Sequence, residues 1–146
     1  MDRKEFIKTS CTGVCVALGS GFIMSALLSA CKTPLGVIKT AAKDNNVIIP
    51  LAEFEHTDYK LVRVNNYNYD LAIQKKEDGT FRVLVMMCTH ASQPLTKTGN
   101  SYFCTLHGSQ FSNTGAVLKG PAEKNMIELP SRIVSNNLTI KLNTSI

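Results

Sequence analysis

The sequence predicts an all-β fold, and three observations carry that prediction. From Asn46 onward, short apolar runs alternate with turn-forming clusters. Nowhere in that region does the 3.6-residue apolar period of an amphipathic helix persist. The turn clusters recur at the close spacing of a sandwich or barrel, where βαβ units would need longer connections. A chain of 146 residues provides for one such domain.

Taken in order, the chain opens on Arg3-Lys4-Glu5-Phe6-Ile7-Lys8 and then carries no charge from Thr9 through Cys31, 23 residues in all. A basic start, an apolar middle diluted by Gly13, Gly19 and Gly21, and a small-residue ending are the marks of an export signal. A stretch of this length could also span a bilayer as a retained anchor. Its ending, Leu28-Ser29-Ala30-Cys31, resembles the lipobox of bacterial lipoproteins. Residues 1–30 are therefore expected to be a signal peptide, with lipidation at Cys31. The start also resembles a twin-arginine export signal, with Lys4 in place of the second arginine; a general secretory signal is the alternative. These features imply the bacterial periplasm or cell envelope, with the protein held at a membrane by its lipid. Residues 31–45, rich in Lys, Thr, Ala and Asn, read as a tether, and residues 46–146 as the domain.

Within the domain, Val47–Phe54, Tyr59–Val64, Tyr69–Gln74 and Thr80–Met87 are expected strands. His56-Thr57-Asp58, Asn65-Asn66 and Glu77-Asp78-Gly79 punctuate them. Further along come Ala116–Lys119, Met126–Leu129, Arg132–Val134 and Leu138–Leu142, with Asn136-Asn137 as a tight hairpin turn between the last two. The net charge of +5 is mild. The basic residues are scattered, with no aromatic-interleaved stripe, which argues against nucleic acid as a partner.

The five cysteines sort by position. Cys11, Cys15 and Cys31 belong to the N-terminal stretch. Cys88 and Cys104 lie in the body of the chain, each with a histidine within three residues, while His56 stands alone in a turn. The first loop reads Cys88-Thr89-His90-Ala91-Ser92-Gln93-Pro94-Leu95, the second Cys104-Thr105-Leu106-His107-Gly108-Ser109-Gln110-Phe111, and thirteen residues separate His90 from Cys104. Each loop offers a soft thiolate and a borderline imidazole, a combination suited to metal ligation. Two Cys and two His also describe a structural zinc site, so a zinc-stabilised surface module is the alternative reading.

The spacing C-x-H, then C-x-x-H, resembles the signature of the Rieske iron–sulfur family most strongly over residues 83–123. That resemblance implies one [2Fe–2S] cluster, with Cys88 and Cys104 on one iron and His90 and His107 on the other. Neutral imidazoles in place of two thiolates remove negative charge and raise the potential. Because imidazole titrates, electron uptake can be coupled to proton uptake. Gly108-Ser109 follows the second histidine as in the family, where the serine hydroxyl donates to a bridging sulfide, and Gly120-Pro121-Ala122 matches the family's proline loop.

There are departures. Gln93 and Leu106 occupy the positions of the loop-tying disulfide of quinol-oxidising members, so packing, with Leu106 and Pro94 contributing, is expected to hold the loops. Phe111 stands where high-potential members carry a tyrosine. The resemblance implies an antiparallel β-sandwich or barrel base, built from residues 46–82 and 124–146, with a small cluster-binding subdomain at about 83–123. It implies electron transfer, as a membrane-anchored carrier or as the small subunit of a quinol-oxidising or molybdenum oxidoreductase, and no complete enzyme by itself.

Overall fold

Alternation of side chains on two central strands organises the domain. In the computed structural model, which describes residues 36–143, strands β4 (Leu71–Lys75) and β5 (Phe81–Val85) pair antiparallel. Leu71, Ile73, Val83 and Val85 face one apolar core, while Ala72 and Leu84, opposite each other in register, face a second. A sheet covered on both faces explains why these strands read as near-continuous apolar runs.

On one side lies the base. Strand β3 (Tyr59–Asn65) pairs antiparallel with β4, and β1 (Val37–Ala41) pairs parallel with β3, giving a sheet ordered β1-β3-β4-β5. Facing it, β10 (Ser131–Val134), β11 (Asn137–Lys141) and β2 (Asn46–Pro50) form an antiparallel three-stranded sheet. Val47 and Ile49 sit opposite Ile140 and Leu138, and all four are buried in the first core. On the other side, β6 (Thr96–Thr98), β7 (Ser101–Phe103), β8 (Gln110–Ser112) and β9 (Val117–Lys119) form a small antiparallel sheet, and Tyr102 and Phe111 from β7 and β8 enter the second core. This is the expected all-β base with an inserted subdomain.

Four expectations are corrected. Residues 37–41 are a strand of the base, although the sequence reading assigned them to a tether. The strand expected over Val47–Phe54 stops at Pro50, and Leu51–Phe54 turns as a 3₁₀ helix. Proline has no N–H to continue a ladder, and the turn carries Phe54 into edge contact with Phe81, centroids 4.8 Å apart. Met126–Leu129 forms no regular strand, yet it closes the free edge of β5: the Val85 amide donates to the Ile127 carbonyl at 2.9 Å and the Leu129 amide to the Val83 carbonyl at 2.8 Å. The β10–β11 hairpin turns at Ser135 and Asn136, both at positive φ, one residue earlier than expected. The signal peptide, the lipobox and Cys31 lie outside the described residues.

One contact fixes the subdomain on the base. Gly115, at φ +86°, lies between β8 and β9; a Cβ there would come within 3.1 Å of the Leu84 side chain and 3.3 Å of Met126. Only glycine meets both the conformation and the close approach.

Leu138→Ala should cost about 2–5 kcal/mol of stability because it opens a cavity in the first core. Ile133→Ala, opposite it in register but 50% exposed, should cost well under that. Denaturant titration of both variants checks the layer assignment, which equal losses would contradict.

Candidate metal centre

The two loops are built on one backbone pattern. In the first, the Cys88 amide donates to the Gln93 carbonyl at 2.7 Å and the Ser92 amide to the Cys88 carbonyl at 2.9 Å. In the second, the Cys104 amide donates to the Ser109 carbonyl at 2.9 Å and the Gly108 amide to the Cys104 carbonyl at 3.0 Å. The residue four beyond each cysteine takes positive φ: Ser92 at 50° and Gly108 at 79°. Each loop is thus a closed turn with a cysteine at its root and a histidine on its rim.

Burial divides the donors. Cys88 and Cys104 are fully buried within the second core, and both are free thiols. His90 and His107 are exposed, and their rings meet edge to face with centroids 4.9 Å apart. The structure therefore brings together all four residues singled out in the sequence, as a buried sulfur pair and an exposed imidazole pair. Among the described residues, no three His, Cys, Asp or Glu side chains gather about a single point that one ion could occupy. Burial by itself would push the Cys104 thiol up; the amides of His107 and Leu106, with the Cys88 thiol, outweigh it and hold Cys104 below its ordinary range. Backbone N–H groups aimed at a sulfur favour its anionic form, which is the form that binds a metal.

A third segment closes the site. Ser109 is fully buried, and its Oγ accepts the Ala122 amide at 3.1 Å, tying the second loop to Gly120-Pro121-Ala122. Because that oxygen accepts from Ala122, the hydroxyl proton is left to donate elsewhere. Thr89 donates through Oγ1 to the Lys124 carbonyl at 2.5 Å. The Tyr69 hydroxyl donates to the Ser92 carbonyl at 2.7 Å. These bonds correct one expectation. Leu106 is 58% exposed and Pro94 is also exposed, so polar ties from outside the loops take the part that packing by those two residues was expected to play. His56 is exposed in its turn, as expected.

Sequence reasoning missed a polar cluster joining the subdomain to the base. The Lys97 ammonium lies 4.8 Å from the Tyr59 ring centroid and 5.2 Å from that of Tyr102, and Gln74 Nε2 donates to the Tyr102 hydroxyl at 3.2 Å. Burial lowers Lys97 and raises both phenols from their ordinary values. A cation over a ring at this distance contributes about 0.5–2 kcal/mol. The only sequence signal was Lys97 between two threonines, which reads as a solvated strand.

Both the fold and the donor set fit a binuclear cluster, and the Rieske [2Fe-2S] domain model matches residues 45–135. The chain belongs to the Rieske [2Fe–2S] family, and its cofactor is a [2Fe–2S] cluster. It is 40% identical over 57 residues to the ubiquinol-cytochrome c reductase iron–sulfur subunit of Rickettsia typhi, a match spanning 37% of this chain and 32% of that protein. It is 31% identical over 132 residues to the cytochrome b6-f complex iron–sulfur subunit of Prochlorococcus marinus, spanning 84% and 74% of the two chains. Among solved structures, the plasma membrane Rieske protein of Synechocystis PCC 6803 superposes with a TM-score of 0.53 at 22% identity, covering 66% of this chain and 99% of that one. A naphthalene 1,2-dioxygenase gives 0.52 at 14% identity, over 70% of this chain and 27% of that one. The two structural likenesses show a shared fold.

Ser109→Ala should leave the buried Ala122 amide without its partner, at a cost of about 1–3 kcal/mol. Amide exchange at Ala122 should accelerate accordingly, and unchanged exchange would show that the proline segment is held by other means.

Proposed function

We propose that this chain passes single electrons through its cluster, with Cys88 and Cys104 holding one iron and His90 and His107 the other. The observation that carries this reading is the division of the donors into a buried thiol pair and an exposed imidazole pair. A binuclear centre needs two such pairs, whereas one zinc ion would need all four donors about a single point. When bound, the cluster supplies a one-electron couple whose potential is raised by its imidazole ligands.

The chain's own residues set the conditions for that couple. The second core keeps water from the sulfurs, while the exposed rings of His90 and His107 offer the shortest approach to a partner. The Leu106 and His107 amides and the Ser109 hydroxyl supply hydrogen bonds of the kind that favour a more negative cluster. Phe111, fully buried beside Tyr102 in register, has no hydroxyl to add another. The midpoint potential is accordingly placed at about −50 to +150 mV, inside the family's range of about −150 to +300 mV.

The reading extends to location and partners. The named relatives are subunits of ubiquinol-cytochrome c reductase and of the cytochrome b6-f complex, which favours a membrane-bound redox partner. The lipobox-like ending at Cys31 supports attachment of a periplasmic domain through lipid. The chain is either an anchored carrier or the small subunit of a larger oxidoreductase, of the quinol-oxidising or molybdenum class. Loss of the loop cysteines and of the tyrosine sets it apart from conventional quinol-oxidising subunits. Co-purification of a haem or molybdenum subunit would decide between carrier and subunit.

Low-temperature electron paramagnetic resonance of the dithionite-reduced full chain is the decisive test. A rhombic signal is expected for a reduced cluster with mixed Cys and His ligation. A silent spectrum with about one zinc per chain would instead establish the structural zinc site. In addition, His90→Cys and His107→Cys should each lower the midpoint by restoring an anionic ligand. An unchanged or higher midpoint would contradict the ligand roles.

A further inference from the structure

The two loops solve the same backbone problem with unequal means. Both need a left-handed residue four positions beyond the cysteine. The second loop uses Gly108, which enters that conformation without steric penalty. The first uses Ser92, an L-residue at φ 50°, which enters it only at a cost. Such a conformation persists when the surroundings over-determine it.

The surroundings of Ser92 do so. Ser92 is held at both ends: its amide donates to the Cys88 carbonyl at 2.9 Å, and its carbonyl accepts the Tyr69 hydroxyl at 2.7 Å. Tyr69 is itself firmly mounted. Its ring packs against the first core. The next residue, Asp70, makes a two-pronged ion pair with Arg63 at 2.8 and 2.7 Å. The Asp70 carbonyl also accepts the amide of Met86, at 2.9 Å, just before the first loop begins. The Tyr69 bond arrives one residue from Gln93, where quinol-oxidising relatives of the family would carry a loop cysteine.

We propose that Tyr69 is a positioning residue for the metal centre. Its hydroxyl keeps Ser92 left-handed, so the first loop stays closed around its cysteine and His90 is presented at a fixed place opposite His107. The proposal rests on the assignment of Cys88 and His90 as ligands, and it makes a prediction that a general packing role for Tyr69 does not. The need for the hydroxyl should vanish once residue 92 is a glycine.

The test compares the full-length loaded protein with Tyr69→Phe, Ser92→Gly and the double variant. Three quantities are read: the rate at which a chelator bleaches the cluster, the width of the reduced-state resonance, and amide exchange at Ser92 in the metal-free chain. Tyr69→Phe should lose its cluster about tenfold faster, the factor expected for one ordinary hydrogen bond. Its resonance should broaden and its Ser92 amide should exchange faster. Ser92→Gly in the same background should restore all three to near wild-type values. A Tyr69→Phe variant that keeps its cluster at the wild-type rate overturns the proposal, and so does a defect that Ser92→Gly fails to restore. A wild-type protein without the mixed-ligand resonance overturns the ligand assignment instead, which distinguishes the two failures.

Discussion

The structure depends on one requirement, that two sulfurs be buried in one core while imidazoles two and three residues further along reach solvent. An extended strand cannot meet it, because successive side chains leave on alternate faces at fixed rise. Closed turns can, since a left-handed residue reverses the backbone within the span of one loop. Each turn here returns a carbonyl to its own cysteine amide, so neither loop leaves those backbone groups without partners. The second core then takes up the sulfurs as it would small apolar side chains.

That core exists because β4 and β5 are shared. A domain of this size, with both sheets of the base packed only on each other, would offer no apolar floor for an insertion. By facing Ala72 and Leu84 away from the base, the central strands provide one. The joint is then sealed at one point by the close approach of Gly115 to Leu84 and at another by Lys97 over the two tyrosines. Each loop is tied to its surroundings by side-chain-to-backbone hydrogen bonds, from Thr89 and Tyr69 on the first loop and through Ser109 on the second. Each contributes about 0.5–1.5 kcal/mol.

Much of this was legible in the sequence, and the reasons for the rest are physical. The strands of the base announced themselves by apolar runs between turn residues, and the ligand loops by the pairing of each cysteine with its histidine. Strands β6 to β8 did not, because three-residue strands such as Thr96–Thr98 carry too little apolar content to register. β1 was hidden for a related reason. It is a half-exposed edge strand with a lysine and a threonine, and only its parallel partner, over twenty residues later in sequence, makes it a strand at all. The ties to the loops are the least legible class. Tyr69 and Ser92 are ordinary residues in one dimension, and nothing in local composition says that they touch.

The placement of β1 bears on how this domain meets others. If Cys31 is the point of attachment, as proposed, five residues from Lys32 to Gly36 lie between the anchor and the first residue of the fold. Fully extended, so short a leash reaches only about 18 Å. Such a domain would stay at the membrane surface. Its redox partner would then have to present its own cofactor at the height at which the anchor holds the domain.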